Sequence, residues 1–253
     1  MIIESDIEEY GFAIVPDVID GDTIADLLQE LQQEEPQKSS HAGQGMYALR
    51  NLFQTIPNIR TLAMSRPVQT LVEPFLGADC FAVRAIYFDK LPDANWKVPW
   101  HQDLSVALTA QRDCAGFGPW SQKAGVAHAQ APVSLLEGML TIRLHLDACY
   151  KENGPLRVLP GTHRYGKLNP TQIESLRSQV EEVVCEVGSG GALLMRPLLL
   201  HASAAAQIPN HRRVIHMEYA NTRLPDGLEW HEKVLSGTGQ LSSSALSLLK
   251  CGR

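Results

Sequence analysis

Positive charge is scarce in this sequence. The 253 residues include 22 Lys and Arg against 28 Asp and Glu, which gives a formal net charge of -6. Because nucleic acids and anionic membranes are usually bound by a basic surface, this balance argues against both kinds of partner. No apolar run is long enough to span a bilayer. The opening "MIIESDIEEY" is acidic where a secretory signal is basic, so we expect a cytoplasmic protein.

Cysteine pairs and several common enzyme motifs are also missing. The five cysteines are dispersed and form no CxxC, which is typical of reduced thiols in a cytosolic enzyme and not of a disulfide framework or a zinc knuckle. The sequence contains no G-x-S-x-G, no P-loop and no G-x-G-x-x-G. These absences weaken the hydrolase, NTPase and Rossmann-fold interpretations.

A change in the hydrophobic pattern near residue 80 divides the chain. Helical periodicity dominates from about residue 20 to 77, and short segments rich in branched and aromatic residues follow from about 80 to 222. Residues 223–253 resemble a tail, and we expect residues 1–253 to form a single domain. A long series of strands behind a helical region favours a mainly β fold of the sandwich, barrel or jelly-roll type.

One segment of the strand region has no clear period. "GFGPWSQKAGVAHAQAP", residues 116–132, is rich in Gly, Pro and Ala. A structureless connection of this length inside a compact domain is more often a lid or a binding loop than a plain link. We therefore predict a loop here, with Trp120 and His128 as possible substrate contacts.

A metal site is indicated by "KVPWHQDLSVAL", residues 97–108, where His101 and Asp103 stand two apart. On a strand this spacing directs both side chains to one face. A lone HxD recurs by chance, but His201 ends the apolar segment "GALLMRPLLLH", where packing gives no reason for a histidine. Two imidazoles and one carboxylate are the donor set that holds non-haem Fe(II) with open positions.

An arginine follows the distal histidine at a fixed interval. Arg212 stands eleven residues after His201, in "NHRRVIHMEYA". Taken alone, it is better explained by a solvated side chain at the start of a strand, and only beside the candidate metal ligands do the two interpretations become about even. Beside a metal site, a buried arginine needs an anion, and a carboxylate pairs with its guanidinium through two hydrogen bonds.

These residues together resemble a known family. HxD, a distal His and an Arg eleven residues later are similar to the phytanoyl-CoA dioxygenase family of Fe(II)- and 2-oxoglutarate-dependent oxygenases. "KENGPLRVLPGTHRYG", residues 151–166, resembles the family's Asn-Gly-x-Leu … Pro-Gly-Ser/Thr-His segment, and "YGFAIVPDVIDGDTIADLLQEL" resembles its opening strand and helix. The similarity covers roughly residues 8–222.

The resemblance implies a double-stranded β-helix, that is, a cupin-like jelly-roll core. It implies that His101, Asp103 and His201 are catalytic metal ligands that hold Fe(II), and that 2-oxoglutarate and O2 are cosubstrates. The remaining implications concern 2-oxoglutarate. Its distal carboxylate would be held by Arg212, with Arg213 as the alternative if the register is shifted by one residue.

Three further residues are candidates for the cosubstrate site. Ser203, two residues after the distal histidine, matches a family position that touches 2-oxoglutarate. Arg143 falls where the family usually has an aromatic residue, which is a departure; it is a second cosubstrate contact or a handle for an anionic substrate. Thr141 shares the predicted strand face with Arg143 and is included with it.

The resemblance therefore predicts a dioxygenase that hydroxylates or desaturates a small organic metabolite and releases succinate and CO2. Because related halogenases replace the carboxylate ligand with a small residue, Asp103 favours oxygenation over halogenation. Two alternatives stay open: another metal enzyme on a cupin-like barrel, and a module that binds metal and 2-oxoglutarate without turnover. Neither the substrate nor the oligomeric state is indicated by the sequence.

Overall fold

The computed structural model describes residues 2–38, 47–90, 95–208 and 210–235. Within these ranges most helices lie before residue 77, as the periodicity predicts. None of them is both long and apolar enough to cross a membrane. The helices are α1 (Ile2–Glu9), α2 (Gly21–Lys38), α3 (Leu52–Thr55), α4 (Pro57–Ala63), α5 (Arg66–Leu76), α6 (Val133–Glu137) and α7 (Pro170–Gln179).

The strands form three antiparallel sheets. The large sheet contains β1 (Phe12–Val15), β2 (Tyr47–Arg50), β3 (Phe81–Asp89), β8 (Met139–His145), β11 (Ala192–Met195), β13 (Arg213–Ala220) and β14 (Val234–Leu235). The small sheet contains β4 (Val98–His101), β9 (Leu156–Val158), β10 (Val183–Cys185) and β12 (His201–Ser203). The third sheet contains β5 (Ser105–Leu108), β6 (Trp120–Lys123) and β7 (Val126–Gln130).

The large sheet has two chemically different faces. Its order is β1-β11-β8-β13-β3-β14, with β2 also paired to β3. Alternation along β8 directs Leu140, Ile142 and Leu144 outward, where they pack with the N-terminal helices in the main hydrophobic core. The opposite face carries Arg143, which pairs in register with His216 on β13. This polar face is directed towards the small sheet, so the fold is a jelly-roll core with a cavity between its sheets.

The predicted bounds of the helical region and of the strand region are close to the observed ones, but both regions leave out strands near the two ends of the chain. Helices α2 to α5 fill the predicted helical region, although β2 lies inside it. The large sheet recruits β1 from before that region and β14 from the predicted tail, and β14 pairs with Phe81 and Ala82 of β3. Residues 236–253 of the predicted tail lie outside the described residues.

Two predicted segments differ from the structure. "GALLMRPLLLH" is not one strand, because the chain turns at Pro197 and Leu198, and His201 begins β12 instead of ending β11. Residues 116–132 are not a simple loop, because β6 and β7 form a hairpin that pairs with β5. Ala124 and Gly125 form its two-residue turn with positive φ values of 50° and 77°. β6 (WSQK) and β7 (VAHAQ) have few branched or aromatic residues, so the turn residues are the clearest sequence signal of the hairpin.

Gly190 supports a stability prediction, because φ is 79° and a Cβ built on it would lie 2.4 Å from the Ile19 carbonyl oxygen. We expect Gly190→Ala to lower the free energy of unfolding by at least about 2 kcal/mol, since left-handed backbone alone costs roughly 1–2 kcal/mol for a residue with a side chain. Denaturant unfolding measures the change.

Two glycines serve as controls for that prediction. Gly125 has a φ of 77° but open space around its Cβ position. Gly125→Ala should therefore lower the free energy of unfolding only by the cost of the left-handed backbone. Gly188 has neither the positive φ nor a close neighbour, and its alanine variant should be neutral or slightly stabilising. Equal losses for Gly190→Ala and Gly125→Ala would show that the contact with Ile19 is unimportant.

Candidate active site

His101 and His201 are brought together by strand pairing in the small sheet. His101 is the last residue of β4, His201 is the first residue of β12, and the two are direct partners in the antiparallel register. Their ring centroids lie 4.2 Å apart. The antiparallel register of β4 and β12 therefore places the two histidines side by side, although they are 100 residues apart in the sequence.

Asp103 reaches the same point by a different route from the predicted one. Strand β4 ends at His101, and the Asp103 amide donates to the carbonyl of Pro197 over 2.9 Å. Gln102 fixes the bend: its side-chain amide donates to the carbonyls of Gly166 (2.8 Å) and Leu198 (2.7 Å), and its oxygen accepts from the Leu168 amide (2.8 Å). His101 and Asp103 therefore converge, and Gln102 points away, as the sequence predicts. The cause is this bend after β4 and not alternation along a strand.

The three side chains present their donor atoms to one another. Asp103 lies 3.8 Å from His101 Nε2 through one carboxylate oxygen and 3.6 Å from His201 Nε2 through the other. One donor atom from each residue lies within 4.8 Å of the other two. Asp103 Oδ2 is buried and accepts no hydrogen bond from any described group. A buried carboxylate oxygen without a donor is expected where a cation is to be bound.

Backbone carbonyls set the orientation of both imidazoles. His101 Nδ1 lies 2.8 Å from the Pro99 carbonyl oxygen, and His201 Nδ1 lies 2.8 Å from that of Leu199. Because a carbonyl only accepts, each Nδ1 carries the proton and donates it. Each Nε2 is left with its lone pair directed at Asp103, which is the tautomer that a metal-binding histidine requires.

The local electrostatics keep these groups in their metal-binding protonation states. Burial lowers the pKa of His201 to about 4, although the Asp103 carboxylate opposes the shift. Burial would by itself raise the pKa of Asp103, but the neighbouring His201, His216, His101 and Arg84 outweigh it and hold that pKa well below its usual range. At neutral pH the site therefore contains a neutral His201 and a carboxylate, the forms that bind a metal ion.

The candidate ligands open into a cavity of about 190 Å³ between the large and the small sheet. Its apolar wall includes Ile86, Phe88, Trp96, Val98 and Leu156. Among the described residues, five cationic side chains line it against one carboxylate, Asp103; the cations are Arg50, Arg84, Lys123, Arg143 and Arg212. A cavity with this charge is suited to anionic small molecules.

Arg212 and Arg213 point in opposite directions. Arg212 is buried, donates through Nη1 to the Gly154 carbonyl (2.5 Å), and lines the cavity. Its Nε is buried and has no partner among the described groups. Arg213 instead forms an ion pair with Asp147 outside the cavity. Its Nε and Nη2 donate to the two carboxylate oxygens of Asp147 at 2.7 and 2.6 Å. The geometry therefore favours Arg212 of the two arginines for a role in the cavity.

Ser203 also lines the cavity, and it leads to a residue that sequence reasoning missed. Lys90 is buried, and its Nζ lies 3.5 Å from Ser203 Oγ and donates to the Ala204 carbonyl. Burial, with repulsion from Arg212 and Arg143, lowers the pKa of Lys90 to about 7. Lysine after a strand is ordinarily solvated, so nothing in the sequence distinguishes this one from the others.

Arg143 lines the cavity beside Phe88, with its guanidinium carbon 5.7 Å from the ring centroid. Its Nη1 donates to His216 Nδ1 (3.0 Å), so His216 Nε2 carries the proton and donates to Glu218 (3.1 Å). Burial and the charge of Arg212 lower the pKa of Arg143 to about 10. The arginine that replaces the expected aromatic residue is thus both stacked and hydrogen-bonded.

Thr141 occupies the same strand two residues earlier and is fully buried, but it is not among the residues that line the cavity. Its hydroxyl has no partner among the described groups. In the 116–132 hairpin, His128 is buried against the Val126 carbonyl and Trp120 packs in a hydrophobic cluster. Neither lines the cavity, whereas Lys123 near the hairpin turn does.

Comparison with known proteins gives the family. The model of the family described as phytanoyl-CoA dioxygenase (PhyH) matches residues 7–214. The chain belongs to the phytanoyl-CoA dioxygenase family. This confirms the resemblance found in the sequence motifs, and a search of curated proteins finds no match.

Solved structures share the fold of this phytanoyl-CoA dioxygenase family member at low identity. SnoN, an α-ketoglutarate-dependent epimerase from nogalamycin biosynthesis, is 19% identical with a TM-score of 0.67, over 94% of this chain and 90% of SnoN. AviO1 from Streptomyces viridochromogenes Tue57 is 20% identical with a TM-score of 0.64, over 88% of this chain and 96% of AviO1. EctD from S. alaskensis with 2-oxoglutarate and 5-hydroxyectoine is 16% identical with a TM-score of 0.64, over 85% of this chain and 74% of EctD.

Proposed function

We propose that the protein is an Fe(II)- and 2-oxoglutarate-dependent dioxygenase that hydroxylates or desaturates a small organic metabolite, with release of succinate and CO2. The observation that carries the proposal is the convergence of His101 Nε2, His201 Nε2 and the Asp103 carboxylate at one cavity, within 4.8 Å of one another. Membership of the phytanoyl-CoA dioxygenase family supports the same chemistry, and SnoN has been solved with Fe3+ and α-ketoglutarate.

The residues present fit an iron(II) ion. His101 and His201 would each donate Nε2, and Asp103 would donate a carboxylate oxygen that now lacks a partner. Three protein ligands leave three positions for a chelating cosubstrate and dioxygen. When bound, the iron supplies the activation of dioxygen that side chains cannot provide. The chain itself fixes the imidazole tautomers and keeps Asp103 ionised, and apolar side chains line part of the cavity.

The residues also fit 2-oxoglutarate, a dianion. The unpartnered Nε of the buried Arg212 needs an acceptor, and a carboxylate provides two oxygens for a guanidinium. Ser203 can donate its hydroxyl to the same carboxylate, while Arg143 adds positive charge to the cavity. Repulsion among Arg212, Arg143 and the neighbouring Lys90 is relieved by such an anion. Thr141 stays a weaker candidate because it lies off the cavity surface.

The reaction outcome follows from the carboxylate at Asp103. Because Asp103 would take the coordination position that a halide needs, we expect products that gain a hydroxyl group or a double bond, and no chlorinated product even at high chloride. Mass spectrometry of turnover mixtures with and without chloride measures this. A chlorinated product from the wild-type enzyme contradicts the assignment.

Turnover distinguishes this proposal from its two alternatives. The purified protein, loaded with Fe(II) and 2-oxoglutarate in air, is incubated with fractionated metabolite pools, and succinate is quantified. Substrate-stimulated succinate supports an oxygenase. Activity with zinc and without 2-oxoglutarate indicates another metal enzyme on the barrel, and stoichiometric iron and 2-oxoglutarate binding without succinate indicates a binding module.

A further inference from the structure

Three cationic side chains of the cavity are not among the residues proposed to bind iron or 2-oxoglutarate. They are Arg50 at the end of β2, Arg84 in β3 and Lys123 at the end of β6. Arg50 pairs in register with Ile86, so Arg84 is its diagonal neighbour on the same sheet face. The 116–132 hairpin brings Lys123 to them. Three separate elements therefore place positive charge on one part of the cavity wall.

These cations lie close enough to repel one another. Burial lowers the pKa of Arg50, and the charge of Arg84 lowers it further. Burial also lowers the pKa of Lys123, with the charges of Arg84 and Arg50 as the next causes. Like charges held together in a partly closed cavity cost free energy in the ligand-free protein, and a bound anion recovers that cost.

Among the described residues, only Arg84 of the three has a direct ion-pair partner. Arg84 donates through Nη2 to Glu218, which it shares with His216, and its buried Nε has no partner among the described groups. Within the described ranges, the Arg50 and Lys123 side chains make no direct hydrogen bond or ion pair, although the charge of Glu218 acts on both from farther away and that of Asp103 acts on Lys123. Asp103, the one carboxylate on the cavity wall among described residues, is already assigned to the metal.

We propose that the substrate of this enzyme carries an anionic group, a carboxylate or a phosphate, which Arg50 and Lys123 hold beside Arg84. The proposal rests on the proposed function, because it assigns the substrate side of the same cavity. A guanidinium grips two anion oxygens through two hydrogen bonds, while the ammonium adds a mobile point charge. Because the three cations and the candidate metal ligands line the same cavity, the anionic group would be held in the cavity in which the substrate is oxidised.

The test uses the complete chain loaded with Fe(II) and saturating 2-oxoglutarate under nitrogen, so that the cosubstrate site is filled. Inorganic phosphate and propionate are titrated separately by calorimetry, and they represent the two anion chemistries. We expect the wild type to bind at least one of them. Arg50→Ala and Lys123→Ala should each weaken that binding at least tenfold, and the 2-oxoglutarate affinity should change by less than twofold. Arg84 is kept, because it also holds Glu218.

Arg223→Ala and Lys151→Ala are the matched controls, since both side chains are exposed and lie off the cavity wall. They should leave anion binding unchanged. The inference is overturned if the wild type binds neither probe, if Arg50→Ala and Lys123→Ala bind as tightly as the wild type, or if those variants lose 2-oxoglutarate instead. Failure of every fractionated metabolite pool to stimulate succinate formation by the wild type would contradict the oxygenase assignment, whereas the anion titration does not depend on turnover.

Discussion

His201→Ala is expected to abolish iron binding and all 2-oxoglutarate turnover while the fold is retained. The residue supplies one of three proposed donor atoms, and its Nε2 is directed at Asp103 by the hydrogen bond from Nδ1 to Leu199. Changes to groups that only support a ligand cost about 10–100-fold in metal affinity. Loss of the ligand itself should therefore cost at least about a hundredfold, and the iron content should fall from one per chain to near zero.

His101→Ala should behave in the same way, because the two imidazoles are partners in the strand register. His231→Ala is the matched control: it removes a partly buried histidine whose side chain meets only Gln54 among the described residues. Iron is measured by metal analysis after reconstitution, and circular dichroism checks the fold. Stoichiometric iron in both His101→Ala and His201→Ala would exclude these residues as ligands.

Arg212→Ala should raise the KM for 2-oxoglutarate at least about tenfold and leave iron affinity nearly unchanged. Each hydrogen bond to a charged group contributes roughly 1.5–3 kcal/mol, and a loss of about 1.4 kcal/mol corresponds to a factor of ten. The buried position of Arg212 and its unpartnered Nε make water a poor substitute for the lost guanidinium. Steady-state succinate formation over a range of 2-oxoglutarate concentrations measures the effect.

Two neighbouring variants make this prediction specific. Arg212→Lys should recover only part of the affinity, because an ammonium cannot pair with two oxygens as a guanidinium does. Arg213→Ala should leave the KM unchanged, since Arg213 is bound to Asp147 outside the cavity. If the KM for 2-oxoglutarate rose in Arg213→Ala and not in Arg212→Ala, the cosubstrate would be bound by Arg213 and the proposed role of Arg212 would be wrong. If neither variant changes the KM, Arg143 is the next residue to replace.

The sequence predicts those parts of the fold and site that local patterns encode. Alternation of polar and apolar residues in β8 predicts the strand and the inward face that carries Arg143, because this alternation is a local property of the sequence even where both faces are buried. The types and order of His101, Asp103 and His201 predict a metal site. The register that pairs His101 with His201 is not local, and only the structure supplies it.

The features that sequence reasoning missed depend on tertiary contacts. The bend between His101 and Asp103 is fixed by Gln102 through partners near residues 166 and 198, which are distant in the chain. Arg50 and Lys123 read as ordinary surface cations, since their elements meet at the cavity only in the folded protein. A basic group created by assembly of three separate elements leaves no signature in the linear sequence.

Visible absorption during anaerobic addition of 2-oxoglutarate to the Fe(II)-loaded protein tests the central claim most directly, because chelation of ferrous iron by a 2-oxo acid produces a charge-transfer band. We predict a band in the wild type that saturates at one 2-oxoglutarate per chain, needs at least about tenfold more cosubstrate in Arg212→Ala, and is absent in His201→Ala when the same amount of Fe(II) is added. A wild-type protein that gives no band, or a His201→Ala variant that gives the wild-type band, would contradict the account.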